Sequence, residues 1–370
     1  MKYYIIAGER SGDLHASNLI KQLRQKDTAA EIRGWGGDMM EAAGMELVKH
    51  YRELAFMGFA ETISNLFKIL GFISECKADI KAFQPDVVIL VDYAGFNMRI
   101  AKFAKSRGLK VFYYISPKIW AWNQGRVHKI KKVVDRMFVI MPFEEEFYGR
   151  FDYKVDYIGN PVNDSVTDHV VNPDFRTKNK LNRKPLIAIL PGSRAQEIEN
   201  MLDVMLSVLP YFRDYQFVVA GVSNFSKEYY EQYNKDPNIR FVYDQTYDLL
   251  ANSEAALVTS GTATLETALF GVPQVVCYKT STISYTIGKM VIKVPYISLV
   301  NLIANKPVVT ELIQDDFTAK RLTAELKQLL FDKTFIKNQK AGYALVREKI
   351  GNFRTAERAA ELMVVYLQER

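Results

Sequence analysis

The sequence predicts an α/β protein: two Rossmann-like, doubly wound parallel-sheet domains with the active-site cleft between them. Three observations carry this. Short apolar runs of strand length alternate with helical patterns along the whole chain, the pattern of parallel sheets covered by helices. A polar stretch, residues 163–184, rich in Asn, Asp, Thr and Lys, interrupts the alternation and reads as a linker. The 370 residues, 48% of them hydrophobic, supply apolar material for two cores.

The elements follow in order. In the first half, strands are expected near Tyr3–Ala7, Glu31–Trp35, Val87–Val91, Val111–Ile115 and Arg136–Val139, with helices such as Ala16–Gln25 and Phe67–Phe83 between them. A second series follows the linker: Leu186–Leu190, Gln216–Val219, Ile239–Val242, Ala255–Val258 and Gln274–Cys277. From Thr318 the pattern is helical, with Arg347–Gln368 the last helix. In doubly wound sheets the ligand sits beyond the carboxyl ends of the strands, so the loops there are the ones to read.

Charge and composition narrow the function. The net charge of +7 favours acidic partners: anionic lipid, nucleotide phosphates or nucleic acid. No nucleic-acid-binding module pattern is present, so nucleic acid is not expected as a partner. Cys76 and Cys277 lie far apart, which fits a reducing compartment and argues against disulfides or a zinc site. His15, His50, His128 and His169 make no metal-ligand spacing, and no metal or other cofactor is expected. The first residues read at once as a strand, leaving no room for a signal peptide. No run approaches the roughly 18 apolar residues of a membrane span. A cytoplasmic protein is expected, with a membrane surface as one place it could lie.

Four loops carry candidate chemistry. Ser260-Gly261-Thr262-Ala263-Thr264-Leu265-Glu266 follows the strand Ala255–Val258 and opens a helix, whose free backbone N–H groups suit a diphosphate. Glu266, one turn in, suits the hydroxyls of a ribose; the alternative is an acid complementing the helix dipole. Pro191-Gly192-Ser193-Arg194 is a second such turn. Gly192 permits a tight bend, and Arg194 at a helix N-terminus is unfavourable unless an anion binds there. A solvated loop arginine is the plainer reading. Asp92 ends the strand Val87–Val91; burial would raise its pKa and suit it as a general base, and an Asx-type turn is the rival. Gly8-Glu9-Arg10-Ser11-Gly12-Asp13 follows the first strand but matches neither a Walker A nor a G-x-G-x-x-G pattern. Ser11 or Asp13 caps the helix there, or the loop touches a substrate.

Two further segments bear on lipid. Phe56–Ala60 and Leu66–Ile73 are rich in bulky apolar groups and read as core helix, or as an acyl-chain groove or membrane-facing patch. The basic run Arg126, Lys129, Lys131, Lys132 and Arg136 beside Trp120 and Trp122 reads as a solvated face or as a surface for anionic head groups.

Taken in order, seven motifs resemble the lipid-A-disaccharide synthase family, inverting glycosyltransferases of the GT-B fold. They are Ala7–Asp13, Glu53–Phe59, Val91–Asn97, Ser116-Pro117-Lys118-Ile119-Trp120-Ala121-Trp122, Leu190–Arg194, Ser260–Glu266 and Tyr296–Ala304. The resemblance implies a UDP-2,3-diacylglucosamine donor and a 2,3-diacylglucosamine 1-phosphate (lipid X) acceptor. The products are a β-1,6-linked disaccharide 1-phosphate and UDP. It ties Asp92, Arg194 and Asn301 to activity, with Asn301 placing the diphosphate or the donor sugar. Gly192, Ser193, Ser260, Gly261, Thr262 and Glu266 are the expected UDP-sugar contacts; Glu9, Ser11, Gly12 and Met57 are the expected acceptor contacts. The domains then read as an acceptor domain over residues 1–162, a linker over 163–184, a UDP-sugar domain over 185–345, and a last helix over 346–370 crossing back to the first domain. A homodimer stands as the candidate assembly.

The chain departs from the family pattern twice. Gly159-Asn160-Pro161 replaces a family Gly-His-Pro, and Gly95 stands where some members have a second acid. Asp92 therefore carries more of the base role. The rivals are a GT-B sugar-nucleotide 2-epimerase, which needs no apolar segment, and a non-catalytic lipid- or nucleotide-binding protein. The absence of a G-x-S-x-G elbow weakens a hydrolase.

Overall fold

The structure is a computed structural model that describes residues 1–54, 64–281, 285–286, 288–289 and 292–369. They divide into two compact units, Met1–Pro161 with Asn352–Arg370, and Val162–Gly351.

The first unit is built on a seven-stranded sheet. Its strands are β1 (Lys2–Ala7), β2 (Glu31–Gly36), β3 (Glu46–His50), β4 (Val87–Val91), β5 (Lys110–Tyr114), β6 (Arg136–Val139) and β7 (Asp156–Tyr157). All pair in parallel, in the order β3-β2-β1-β4-β5-β6-β7. The central strands β1 and β4 are continuous apolar runs because helices cover both faces, and Tyr3–Ala7 and Val87–Val91 are fully buried. The strand order reverses between β1 and β4. Their carboxyl ends are therefore the switch point, where this architecture binds ligands.

The second unit repeats the plan with six strands: β8 (Leu186–Leu190), β9 (Gln216–Gly221), β10 (Ile239–Tyr243), β11 (Ser253–Thr259), β12 (Gln274–Tyr278) and β13 (Thr310–Ile313). The order is β10-β9-β8-β11-β12-β13, again all parallel, with the reversal between β8 and β11. The two sheets are the α/β, doubly wound kind that the alternation predicts. The edge strands β3, β7 and β13 were not anticipated. They are short or half-buried, so they lack the continuous apolar run that marks a central strand.

The expected last helix, Arg347–Gln368, is corrected to two. One spans Lys333–Ile350 and the next Thr355–Gln368. Gly351, at φ +70°, ends the first in a backbone region that favours glycine. The helix Thr355–Gln368 packs on Arg10–Lys26 and buries Ala359, Ala360 and Met363 in the core that also holds Leu19 and Leu23. Residues 163–184 are not bare chain. They include most of the helix Pro161–Asp168 and all of Phe175–Lys178, and Phe175 is buried against Leu186 and Ala188 in the second unit's core.

Candidate active site

In the first unit, Asp92 leaves the carboxyl end of β4 with φ +45°, and Tyr93 follows at φ +44°. Asn97, buried one helical turn later, donates from Nδ2 to the carbonyl of Val91 at 3.1 Å and to that of Asp92 at 2.8 Å. The Tyr113 hydroxyl also donates to the Asp92 carbonyl. These bonds hold an unfavourable backbone turn in place. Close by, Ile115 follows β5 at φ +65°, which is rare for a β-branched residue. Backbone strain of this kind gathers at functional sites. Here Asp92 and Ile115 line the same cavity, of about 310 Å³, with Ser116, Lys118, Trp122 and Arg126 among its other walls. Burial pushes the Asp92 carboxyl up, only partly countered by the Lys118 ammonium and the Tyr93 backbone N–H.

The cavity also contains a residue that sequence reasoning missed. Glu144 is buried, at 1% exposure, and accepts hydrogen bonds from the Ser116 hydroxyl and from the backbone N–H groups of Ile140 (3.2 Å) and Met141 (2.9 Å). Burial outweighs these bonds and pushes its carboxyl up to about 7. In sequence it is one of three consecutive glutamates, and nothing local marks which one turns inward. The native chain thus holds a proton that the unfolded chain releases between about pH 4.5 and 7. Its stabilising contribution is complete below about 4.5 and is lost as pH rises through 7, by up to about 3 kcal/mol. Glu144→Gln is expected to flatten the fall in stability between pH 5 and 8, measured by denaturant unfolding at each pH.

The loop after β1 is divided between structure and surface. Gly8 is required by close packing: a Cβ there would sit 2.3 Å from the Tyr93 ring. Gly12 is buried with its Cβ position 3.2 Å from that of Ala7, so it serves helix–strand packing. Asp13, which sequence reasoning offered as a cap for its own helix, instead accepts the backbone N–H groups of Gly37 (2.9 Å), Met39 (3.2 Å) and Met40 (3.1 Å) and so caps the next one. Glu9 and Ser11 are exposed. Met57 and the rest of Phe56–Ala60 lie outside the described residues. Of Leu66–Ile73, Ile73 is buried and Leu70 is half exposed, and Phe72 packs edge-on against Trp35. Asn160 is buried, and its Nδ2 donates to the Ile140 carbonyl at 2.9 Å. The departure at that position is thus a buried residue hydrogen-bonded to the backbone of Ile140, which itself lines the cavity. Gly95 has nothing within 4 Å of its Cβ position, so a side chain there is sterically accommodated.

In the second unit, the loops after β8 and β11 stand side by side at the switch point. Gly261 takes φ +141° and opens the helix Thr262–Leu269; its carbonyl accepts the Thr264 N–H at 3.2 Å, and the N–H groups before that one form the open end of the helix. The Ser260 hydroxyl faces the fold and donates to the Ile297 carbonyl at 2.9 Å. Thr262 is exposed. Glu266 is half-buried; burial pushes its carboxyl up, and the Tyr247 hydroxyl opposes this by donating at 2.9 Å. Tyr247, nineteen residues away, had no local signal.

The turn after β8 is paired within the chain. Gly192 adopts φ +107°, as a tight bend requires. The Ser193 and Arg194 backbone N–H groups, however, donate to Glu197 at 3.1 and 3.3 Å. The Arg194 guanidinium donates to the other Glu197 oxygen at 2.8 Å and is 81% exposed. A carboxylate from the chain itself therefore neutralises the charge expected for a bound anion. The signal was present: a glutamate three residues into a helix reaches back to its start.

Asn301 is 1% exposed and saturated. Its Oδ1 accepts from Val308 (2.7 Å) and Val309 (2.9 Å), and its Nδ2 donates to the Val309 carbonyl and to Glu311, both at 2.9 Å. All four hydrogen-bonding positions of the carboxamide are taken. Glu311 in turn accepts from the backbone N–H groups of Ile297 (3.0 Å) and Ser298 (2.9 Å) and from the Ser298 hydroxyl (2.7 Å). The chain Asn301–Glu311–Ile297 thus ends at the carbonyl that holds Ser260.

Comparison with known proteins decides the family. A family model described as lipid-A-disaccharide synthetase matches residues 3–364. The chain belongs to the lipid-A-disaccharide synthase family. A curated lipid-A-disaccharide synthase from Geobacter metallireducens is 38% identical, covering 99% of this chain and 97% of the relative. One from Syntrophus aciditrophicus is 37% identical over the same shares. The fold neighbours are more distant. A UDP-GlcNAc 2-epimerase from Neisseria meningitidis superposes with a TM-score of 0.68 at 14% identity, covering all of both chains. The glycotransferase of kitacinnamycin gives 0.64 at 15% identity and covers 99% of each. At such identities these neighbours show the GT-B fold alone. The family makes this chain a glycosyltransferase of lipid A disaccharide synthesis acting on lipid A precursor sugars; the 2-epimerase reading is not favoured.

Proposed function

We propose that the first unit binds 2,3-diacylglucosamine 1-phosphate as acceptor and the second binds UDP-2,3-diacylglucosamine as donor. Asp92 takes the proton from the acceptor 6-hydroxyl as its oxygen attacks the donor's anomeric carbon. The anomeric C–O bond breaks, and its electron pair leaves with the UDP diphosphate. One in-line displacement inverts the anomeric centre and needs no enzyme nucleophile. The observation that carries this reading is Asp92 itself: a carboxylate at the switch point, on a backbone turn pinned by Asn97, lining a cavity of small-ligand size.

On the donor side, the start of the helix Thr262–Leu269 supports a role as preorganised donor for the charge that gathers on the departing diphosphate. Arg194 reaches that charge by exchanging Glu197 for a phosphate oxygen. Glu266, held by Tyr247, accepts from the UDP ribose. Asn301 is a positioning residue that supports the Ser260 turn through Glu311 and Ile297.

Among the described residues no helix is long and apolar enough to cross a membrane. Lipid substrates and exposed Leu70, Trp122 and basic side chains support a peripheral position on the inner face of the cytoplasmic membrane. The deciding experiment incubates the protein with both lipid substrates in detergent with EDTA and reads the products by mass spectrometry. Disaccharide 1-phosphate plus UDP is the expected result. Binding of UDP without disaccharide would overturn the reading in favour of a binding role.

A further inference from the structure

Two cations line the cavity beside Asp92. Lys118 and Arg126 both line it, and neither forms an ion pair with a carboxylate among the described residues. Two other members of the basic run, Lys131 and Arg136, are engaged elsewhere. Lys131 donates to the Phe151 and Asp152 carbonyls, and Arg136 lies over the Tyr366 ring, 3.8 Å from Glu369. Arg126 instead lies 4.7 Å from the ring centroid of Trp122, which orients the guanidinium and leaves its edge for a ligand. Of the two cavity carboxyls, only Asp92 acts on one of these cations, Lys118, and neither faces Arg126. Glu144 is sealed by Ser116 and two backbone N–H groups, and Asp92 faces Lys118 alone among the charged side chains acting on it.

We propose that this cavity seats the phosphorylated sugar head of the acceptor, with Lys118 and Arg126 gripping its anomeric phosphate while Asp92 meets its 6-hydroxyl. In a pyranose, C1 and the carbon bearing C6 both flank the ring oxygen. The phosphate and the reacting hydroxyl therefore project from one edge of the sugar, which matches a cation set beside the base. A guanidinium recognises phosphate oxygens in pairs, and an ammonium adds a compact charge. Exposed Trp122 offers an apolar face to the ring. The proposal rests on the acceptor reading above and adds how a phosphorylated acceptor is told from one without phosphate.

The test is a calorimetric titration of wild type, Lys118→Met and Arg126→Gln with glucosamine 1-phosphate, the soluble head group. Glucosamine, inorganic phosphate and phosphatidylglycerol vesicles serve as separate arms. Each substitution is expected to weaken binding of the sugar phosphate by about tenfold or more, the loss of a charge-assisted hydrogen bond. Glucosamine binding should not distinguish the three proteins, and inorganic phosphate should bind more weakly than the sugar phosphate. With lipid substrates, the acceptor KM rises while the donor KM stays. Equal binding of glucosamine 1-phosphate by wild type and both variants would overturn the site, as would its failure to bind wild type. Variants that lose only vesicle binding would overturn it too, assigning the cations to membrane head groups. The two levels separate cleanly. Phosphate-dependent binding without disaccharide synthesis would sink the transfer reaction and keep the site. Synthesis that ignores both substitutions would do the reverse.

Discussion

Asp92→Asn is expected to lower the turnover of disaccharide formation by about 10²–10⁴-fold, the usual worth of a positioned general base. The substitution keeps size and hydrogen-bonding shape, and Asn97 and Tyr113 hold the backbone of residue 92 through its carbonyl, so the fold should be unaffected. Donor binding should persist, because the proposed UDP-sugar contacts belong to the other unit. The pH profile adds a second readout. The base works when deprotonated, and burial raises its pKa. The wild-type rate therefore falls on the acid side, as pH drops through that raised value, and the residual rate of the Asn variant should lack this limb. Because the Lys118 ammonium lowers the Asp92 pKa, Lys118→Met should move the same limb to higher pH. Near-normal turnover by Asp92→Asn would remove Asp92 from the chemistry.

Asn301→Ala should act first on stability. It strips the partners from two backbone N–H groups, one carbonyl and the Glu311 carboxylate in a buried loop. The expected cost is about 3 kcal/mol. That lowers the thermal midpoint of a unit of this size by about 6–12 °C. Donor affinity should fall with it, because Glu311 loses the contact that steadies Ile297, whose carbonyl holds Ser260. Calorimetry of the variant beside UDP titration measures both. A variant that melts like wild type yet makes no disaccharide would mean that Asn301 acts on the substrate and not through the loop.

Particular residues show how far the sequence could be read. Asp92, Gly192 and Gly261 were legible because each follows a continuous apolar strand, and the doubly wound pattern says that such ends face a ligand. Arg194 was legible as a helix-start arginine but not as a partner of Glu197, although that glutamate stands three residues away. Asn301 came from the family pattern, and its saturation came from Val308, Val309 and Glu311 on a loop whose path no local rule describes. Glu144 and Tyr247 were invisible, being an acid among acids and a tyrosine among twenty-one.

By itself, then, the sequence determined the two parallel sheets, their central strands, the loops at their carboxyl ends and the family. Apolar periodicity and motif order need only near neighbours along the chain. The tertiary structure alone decided which charged groups are free to act. Glu144 is protonated by burial and bonded to Ser116, twenty-eight residues away, and Asp13 is taken up by a helix start twenty-four to twenty-seven residues on. Lys118 and Arg126 are left facing a cavity. Burial and pairing depend on what folding brings together across the sheet, and these set both the pKa of a carboxyl and the availability of a cation.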